Sequence, residues 1–243
     1  ARDDYRKVLC VGQAVVDHVF CEQEGEYIYQ WSRGGGSSAN IAANFAALGR
    51  KSMFVAEGDD GKLTDLARQD LECLDVEVVV VDRPRIDRTQ ALFQFCDATP
   101  ATSNSPKFEH RFCVFSPDWR EARDKGQLRS GEFIAPSPSR LTQMEIVRRA
   151  ADHQVACFDR PIAAYVEIAS SLRDQGVFTV LDWGHASGLR FLTGTRIVSI
   201  LRSFDIILMT RKVWTHLAHR VTVDGRDDSG ARNETEKVLR VLK

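Results

Sequence analysis

Three consecutive glycines precede a run of small residues in the segment 33–49, RGGGSSANIAANFAALG. The bare backbone of Gly34, Gly35 and Gly36 would let a ligand or another part of the chain approach closely. The residues after them are helix formers, and Gly49 is placed as a C-terminal stop, so a helix begins next to the glycines. The first N–H groups of a helix lack internal partners and attract oxygen atoms. The segment therefore predicts a binding site at a helix N-terminus.

Two polar residues could complete such a site. Asp17 comes after the buried strand predicted at Lys7–Gly12, KVLCVG, and Asn40 begins the predicted helix Asn40–Leu48. A carboxylate accepts charge-assisted hydrogen bonds from two adjacent hydroxyls, and an amide both donates and accepts. In series with the glycines, these side chains indicate a site for a polyhydroxylated molecule. Taken alone, Asp17 reads as a solvated loop residue.

The same glycines permit two other interpretations. Gly34-x-Gly36-x-x-Ala39 matches the dinucleotide-binding fingerprint, and Glu57 ends the next predicted strand, where a ribose-binding acid belongs. The preceding segment Glu26–Trp31, EYIYQW, alternates and is rich in tyrosine, whereas the fingerprint follows a fully buried strand. A glycine turn that only caps an alanine-packed helix is the other alternative.

Strand and helix patterns alternate along most of the chain, and plainly so after residue 145, which predicts an α/β fold with a mostly parallel sheet. Ligands bind beyond the carboxyl ends of such strands. Asp182 and Thr210, which end the strands VFTVLDW and DIILMT, are therefore candidate site residues. Ribbon-like segments at about 22–33 and 88–116 interrupt the alternation. We expect them to form a small β lid on a single domain that spans residues 1–243.

Composition excludes several classes of protein. The 243 residues carry a formal net charge of −1, which gives no electrostatic reason to expect nucleic acid. No apolar run reaches the ~20 residues needed to cross a membrane, and no signal peptide is visible, so we expect a cytoplasmic protein. Its six cysteines are scattered through apolar stretches, which is typical of reduced thiols. The histidines lack metal-ligand spacing, and we predict no metal site made by the chain's own side chains.

The order of these features resembles the ribokinase-like (PfkB) carbohydrate kinases. Their first signature, a Gly-Gly pair, small residues, an Asn and a helix of small residues, is matched by 35–40, GGSSAN. The segment TQALFQF is similar to the lid strand of the family, and VFTVLDW and FDIILMTRKVWTHL are similar to its central strands. The last segment is especially similar to that of ketohexokinases.

This resemblance implies a three-layer α/β sandwich and a kinase that transfers a phosphoryl group from ATP, with Mg²⁺, to a sugar hydroxyl. The residues implied in sugar binding are Asp17, Gly35, Gly36 and Asn40. Asp182 and Thr210 lie in segments that approach the nucleotide in such kinases. Lid strands often pair between subunits in the family, which implies a homodimer.

The sequence departs from the family in its C-terminal part. The second signature, Asp-Thr-x-Gly-Ala-Gly-Asp, ends in the catalytic base and is absent, so we assign no catalytic residue. Thr210 and Val213 stand in place of the Mg²⁺-associated Asn-x-x-Glu. We interpret the sequence as a piece of a longer chain, because a parallel sheet that ended there would expose a strand edge. A catalytically inactive, sugar-binding regulator is the alternative.

Overall fold

The computed structural model describes residues 7–82, 90–97, 109–115, 137–184 and 192–224. These residues divide into two compact units. The first unit comprises Ala1–Val11 and Ser137–Lys243, and the second comprises Gly12–Pro136.

Ten strands and six helices make up the described part of the chain. In chain order they are β1 (Val8–Val11), β2 (Val15–Gln23), β3 (Glu26–Gly35), α1 (Ser37–Ala47), β4 (Ser52–Gly58), α2 (Lys62–Glu72), β5 (Val76–Asp82), β6 (Gln90–Asp97), β7 (Glu109–Phe115), α3 (Arg140–Ala150), β8 (Val155–Phe158), α4 (Ala163–Asp174), β9 (Phe178–Trp183), α5 (Gly194–Ser203), β10 (Ile206–Met209) and α6 (Arg211–Asp224).

The first unit is built on four parallel strands in the order β10-β9-β8-β1. All four residues of β1 are buried, as expected for a strand that is covered on both faces. Ile146, Leu172 and Ile197 of the surrounding helices are also fully buried and add to this core. The free thiols of Cys10 and Cys157 lie in direct register on β1 and β8.

The second unit holds the parallel pair β4-β5 and a separate four-stranded sheet in the order β3-β2-β6-β7, called here the second sheet. Within the second sheet, β2 is antiparallel to β3 and parallel to β6, and β6 is antiparallel to β7. Strand β3 lies at the edge of the second sheet, and most of its residues are exposed. Its aromatic residues are typical of a strand. Helix α2 packs against β2 and β3.

The predicted α/β class is confirmed by the parallel strands and their flanking helices. Residues 15–23 form a strand, β2, that was not predicted from the sequence, and Asp17 lies within it. Helix α3 begins at Arg140, where the Ser139 side chain accepts a hydrogen bond from the Thr142 N–H at 3.2 Å. In the part of the chain that the structure describes, no helix has the length and apolarity to cross a membrane.

Candidate functional site

Asp17 lies in the first half of β2, opposite Arg33 of β3 and beside Leu92 of β6. The side chain is half-buried, and its Oδ1 atom is buried without a hydrogen-bond partner among the described residues. Burial raises the pKa of Asp17, while a hydrogen bond from the Gln94 side chain and the charge of His18 lower it. A buried carboxylate oxygen without a partner is costly, so it is a natural acceptor for a ligand hydroxyl.

The second carboxylate oxygen explains why residue 35 is glycine. A Cβ atom built on Gly35 would lie 2.0 Å from Asp17 Oδ2 and 2.9 Å from Asp17 Cγ. The carboxylate therefore rests directly against the backbone of Gly35, and any side chain there would displace it. The two residues, although distant in sequence, form one steric unit.

The neighbouring glycines are required for different reasons. At Gly34, a Cβ atom would come within 2.8 Å of the backbone of Ala67, because α2 packs closely on β3. The Gly34 N–H also donates to Asp70 Oδ2 of α2 at 2.7 Å. At Gly36, the backbone adopts φ +99° and ψ 151°, a conformation that is essentially restricted to glycine. Only the glycine at position 35 is explained by the candidate site itself.

Gly36 is also the N-cap residue of α1, and it has no side chain with which to cap the helix. Helix α1 begins at Ser37, three residues earlier than predicted, and Asn40 donates its backbone N–H to the Gly36 carbonyl at 2.9 Å. The Asn40 side chain is exposed. The helix N-terminus thus offers backbone donors, and one turn further the Asn40 amide offers both a donor and an acceptor.

The Asp17 carboxylate lies on Gly35, and Asn40 follows one helical turn beyond Gly36. The site combines an acceptor of raised pKa with backbone and amide donors. Such a set can bind adjacent hydroxyl groups of a small molecule. Among the described residues, no group of three or more His, Cys, Asp or Glu side chains could hold a metal ion.

Strand alternation divides the second sheet into two faces. His18 faces α2: it stacks on Phe93 with ring centroids 5.0 Å apart, and its Nδ1 atom lies 2.6 Å from Ser32 Oγ. The opposite face, called here the Asp17 face, carries Asp17, Trp31, Arg33, Gly35, Leu92 and Gln94.

Sequence reasoning missed Arg33 and Gln94. Side chains alternate between the two faces of a strand, so Arg33 and Gln94 fall on the same face as Asp17. This alternation could have been used only after β2 was recognised as a strand. Without β2 there was no register to connect residue 17 with residues 33 and 94.

Asp182 and Thr210 belong to the first unit and lie at the carboxyl ends of two neighbouring strands. Asp182 is half-buried in β9, in register with Leu208 of β10. Thr210 follows β10 and caps α6, since its Oγ1 atom accepts from the Val213 N–H at 3.3 Å. The cap uses one acceptor position of the hydroxyl and leaves its hydrogen available to donate.

Several solved structures with the same fold carry the names of kinases. Fructokinase from Xylella fastidiosa superposes with a TM-score of 0.61 at 16% identity, over 89% of this chain and 63% of that one. Ribokinase from Arabidopsis thaliana, solved with ribose and ATP, gives 0.61 at 16% identity, over 97% and 68%. A protein known as Sa239 gives 0.65 at 15% identity, over 98% and 70%. The chain thus spans about two thirds of the length of these structures.

Neither the protein-family models nor the curated protein sequences contain a match to this chain. At 15–16% identity, the structural likeness establishes the fold, which is the α/β fold shared by these structures.

Proposed function

We propose that this protein is an ATP-dependent carbohydrate kinase, with Asp17, Gly35, Gly36 and Asn40 as the sugar site. The observation that carries the proposal is the Asp17 carboxylate, which rests on Gly35 and has a buried oxygen without a protein partner among the described residues. The expected substrate is a small polyhydroxylated molecule, because two carboxylate oxygens and a nearby amide suit adjacent hydroxyls. The kinase fold of the structural neighbours supports the same proposal.

The nucleotide would bind near Asp182 and Thr210. When bound, Mg²⁺·ATP supplies the phosphoryl group and neutralises the charge that develops on it. The Thr210 hydroxyl can donate to a phosphate oxygen while it continues to cap α6. The Asp182 carboxylate lies at the end of β9, in the strand next to β10, which Thr210 follows. No residue of this chain is proposed as the catalytic base.

An inactive, sugar-binding regulator is the second candidate, and Thr210 and Val213 favour it because they stand in place of the Mg²⁺-associated Asn-x-x-Glu. A dinucleotide-dependent oxidoreductase is disfavoured, because β3 is an exposed antiparallel edge strand, whereas the fingerprint follows a buried parallel strand.

Calorimetric titration of the chain with a panel of neutral and acidic sugars tests the site. We expect Asp17→Ala to weaken binding by about 10- to 150-fold, the effect of about 1.5–3 kcal/mol for a charge-assisted hydrogen bond. Asp174→Ala, which removes an exposed carboxylate of α4, is the matched control and should bind normally. Equal affinities of the wild type and Asp17→Ala would reject the site.

Two ligands separate the alternatives. Consumption of ATP by the full-length protein in the presence of the bound sugar identifies a kinase, and sugar binding by the full-length protein without consumption identifies the regulator. Thermal stabilisation by NADH, with none by any sugar, would favour the oxidoreductase.

We also propose a homodimer formed through the lid strands. The edge strand β3 exposes Tyr27, Ile28, Tyr29 and Trp31, and unpaired edges with apolar side chains favour strand pairing between chains. In analytical ultracentrifugation, Ile28→Lys should convert a dimer into a monomer. Met144→Lys, at an exposed apolar residue of α3, should leave the dimer intact. A wild-type monomer would refute this part of the proposal.

A further inference from the structure

Two opposite charges face each other on the Asp17 face of the second sheet. Asp17 and Arg33 are direct partners in the antiparallel β2-β3 register. Side chains so placed have Cβ atoms about 4.5–5.5 Å apart, and opposite charges in that arrangement ordinarily form an ion pair.

Here the two charges are engaged by other groups. The Arg33 guanidinium lies over the Trp31 ring, 5.7 Å from its centroid. The Asp17 carboxylate rests on Gly35 and accepts a hydrogen bond from Gln94. Among the described residues, Arg33 has no carboxylate partner within ion-pair distance, and its side chain is exposed. Asp17, with a buried oxygen that accepts no hydrogen bond from the described residues, thus lies opposite Arg33, whose guanidinium donors are available to a ligand.

A neutral sugar would use only half of this arrangement. Asp17 alone would repel a ligand that carries a negative charge, and the neighbouring guanidinium offsets that repulsion. A planar guanidinium presents five donors that match the oxygens of a carboxylate or phosphate, with two parallel bonds to one group. Stacking on Trp31 restricts the side chain in advance, which lowers the entropy cost of binding.

We propose that Arg33 binds an anionic substituent, so that the substrate class is an acidic sugar, either a sugar acid or a sugar phosphate, whose hydroxyls bind to Asp17. This inference rests on the proposed sugar site and adds a specificity-determining residue to it. Arg33 is not a catalytic residue, because it is assigned to a part of the substrate that does not react.

The test is calorimetric titration with pairs of ligands that differ in charge: D-gluconate against D-glucitol, and fructose 6-phosphate against fructose, with inorganic phosphate as a separate ligand. In each pair for which binding is detected, the anionic member should bind at least about tenfold more tightly than the neutral one. Arg33→Gln should remove that advantage and leave the affinity for the neutral member unchanged. Arg140→Gln, at an exposed arginine of α3, is the matched control and should bind like the wild type.

The first pair reports on a carboxylate and the second on a phosphate, so the results also identify the anionic group. Neutral sugars that bind as tightly as the acidic ones, with sensitivity to Asp17→Ala but not to Arg33→Gln, would overturn this inference and leave the sugar site standing. Inorganic phosphate that binds as tightly as the sugar phosphate would also overturn it, because the site would then select only an ion. If no sugar of either kind binds the folded protein, the sugar site itself is refuted.

Discussion

Replacing Gly35 with alanine should destabilise the protein only while Asp17 is present. The new Cβ atom would lie 2.0 Å from Asp17 Oδ2, whereas non-bonded heavy atoms are seldom closer than 3.0 Å. The carboxylate must therefore move by roughly 1 Å or the strands must separate, and overpacking of this kind typically costs about 1–3 kcal/mol. The backbone of Gly35 is not in the left-handed region, so alanine itself is compatible with its conformation.

A double-mutant cycle isolates this contact. In the Asp17→Ala background the colliding atoms are gone, and Gly35→Ala should then be neutral or stabilise by about 0.4–1 kcal/mol, because alanine restricts the unfolded chain. The free energy of unfolding, measured by urea titration for the wild type, both single variants and the double variant, should give a coupling energy of about 1–3 kcal/mol.

Gly34→Ala provides the control for the cycle. Its Cβ atom would collide with the backbone of Ala67, so its cost should be the same in the wild type and in the Asp17→Ala background. Equal costs of Gly35→Ala in both backgrounds would refute the conclusion that the carboxylate rests on Gly35.

Three further predictions concern the same unit. Burial raises the pKa of Asp17, so ionisation of this carboxyl group opposes folding. The contribution of Asp17 to stability is therefore complete below pH 3.8 and is lost as the pH rises through the raised pKa. Across that window the free energy of unfolding of the wild type should fall relative to that of Asp17→Asn, and parallel pH profiles would contradict this. In a calorimetric titration, Asn40→Ala should weaken sugar binding by about 0.5–1.5 kcal/mol, the net value of a hydrogen bond. The control is Asn44→Ala, one turn further along α1 and also exposed, which should leave sugar binding unchanged. Equal effects of the two substitutions would remove Asn40 from the site. Gly36→Ala should cost about 1–3 kcal/mol in urea unfolding because of its positive φ, and this cost should persist in the Asp17→Ala background, unlike that of Gly35→Ala.

Most of the α/β architecture could be predicted because each parallel strand has its own local signal. The segment VEVVVVD matches β5 from Val76 to Asp82, and helices such as α4 end near a glycine, Gly176. Strand β2 escaped prediction because Gly12 ends the buried strand before it, and the polar side chains of Asp17 and His18 interrupt its apolar pattern. Those polar residues are tolerated because the two faces of the second sheet have different environments.

The composition of the candidate site could be proposed from the order of Asp17, the glycine pair and Asn40, but its geometry could not. The contact between Asp17 and Gly35 depends on the β2-β3 register, which a hairpin fixes through its turn, here with positive φ at Glu24 and Gly25. The roles of Arg33 and Gln94 depend on that register and on the parallel pairing of β2 with β6. Such pairings join residues far apart in sequence, so no local pattern reveals them.

The most direct test of the sugar site follows the side-chain amide of Asn40 and the backbone amides of Gly35 and Gly36 by nuclear magnetic resonance during a sugar titration. If a sugar binds at Asp17 and Asn40, all three signals shift together and saturate with one dissociation constant, while the side-chain amide of Asn44 stays unchanged. Saturable sugar binding that leaves these three signals in place would refute the proposed sugar site, because the sugar would then bind elsewhere.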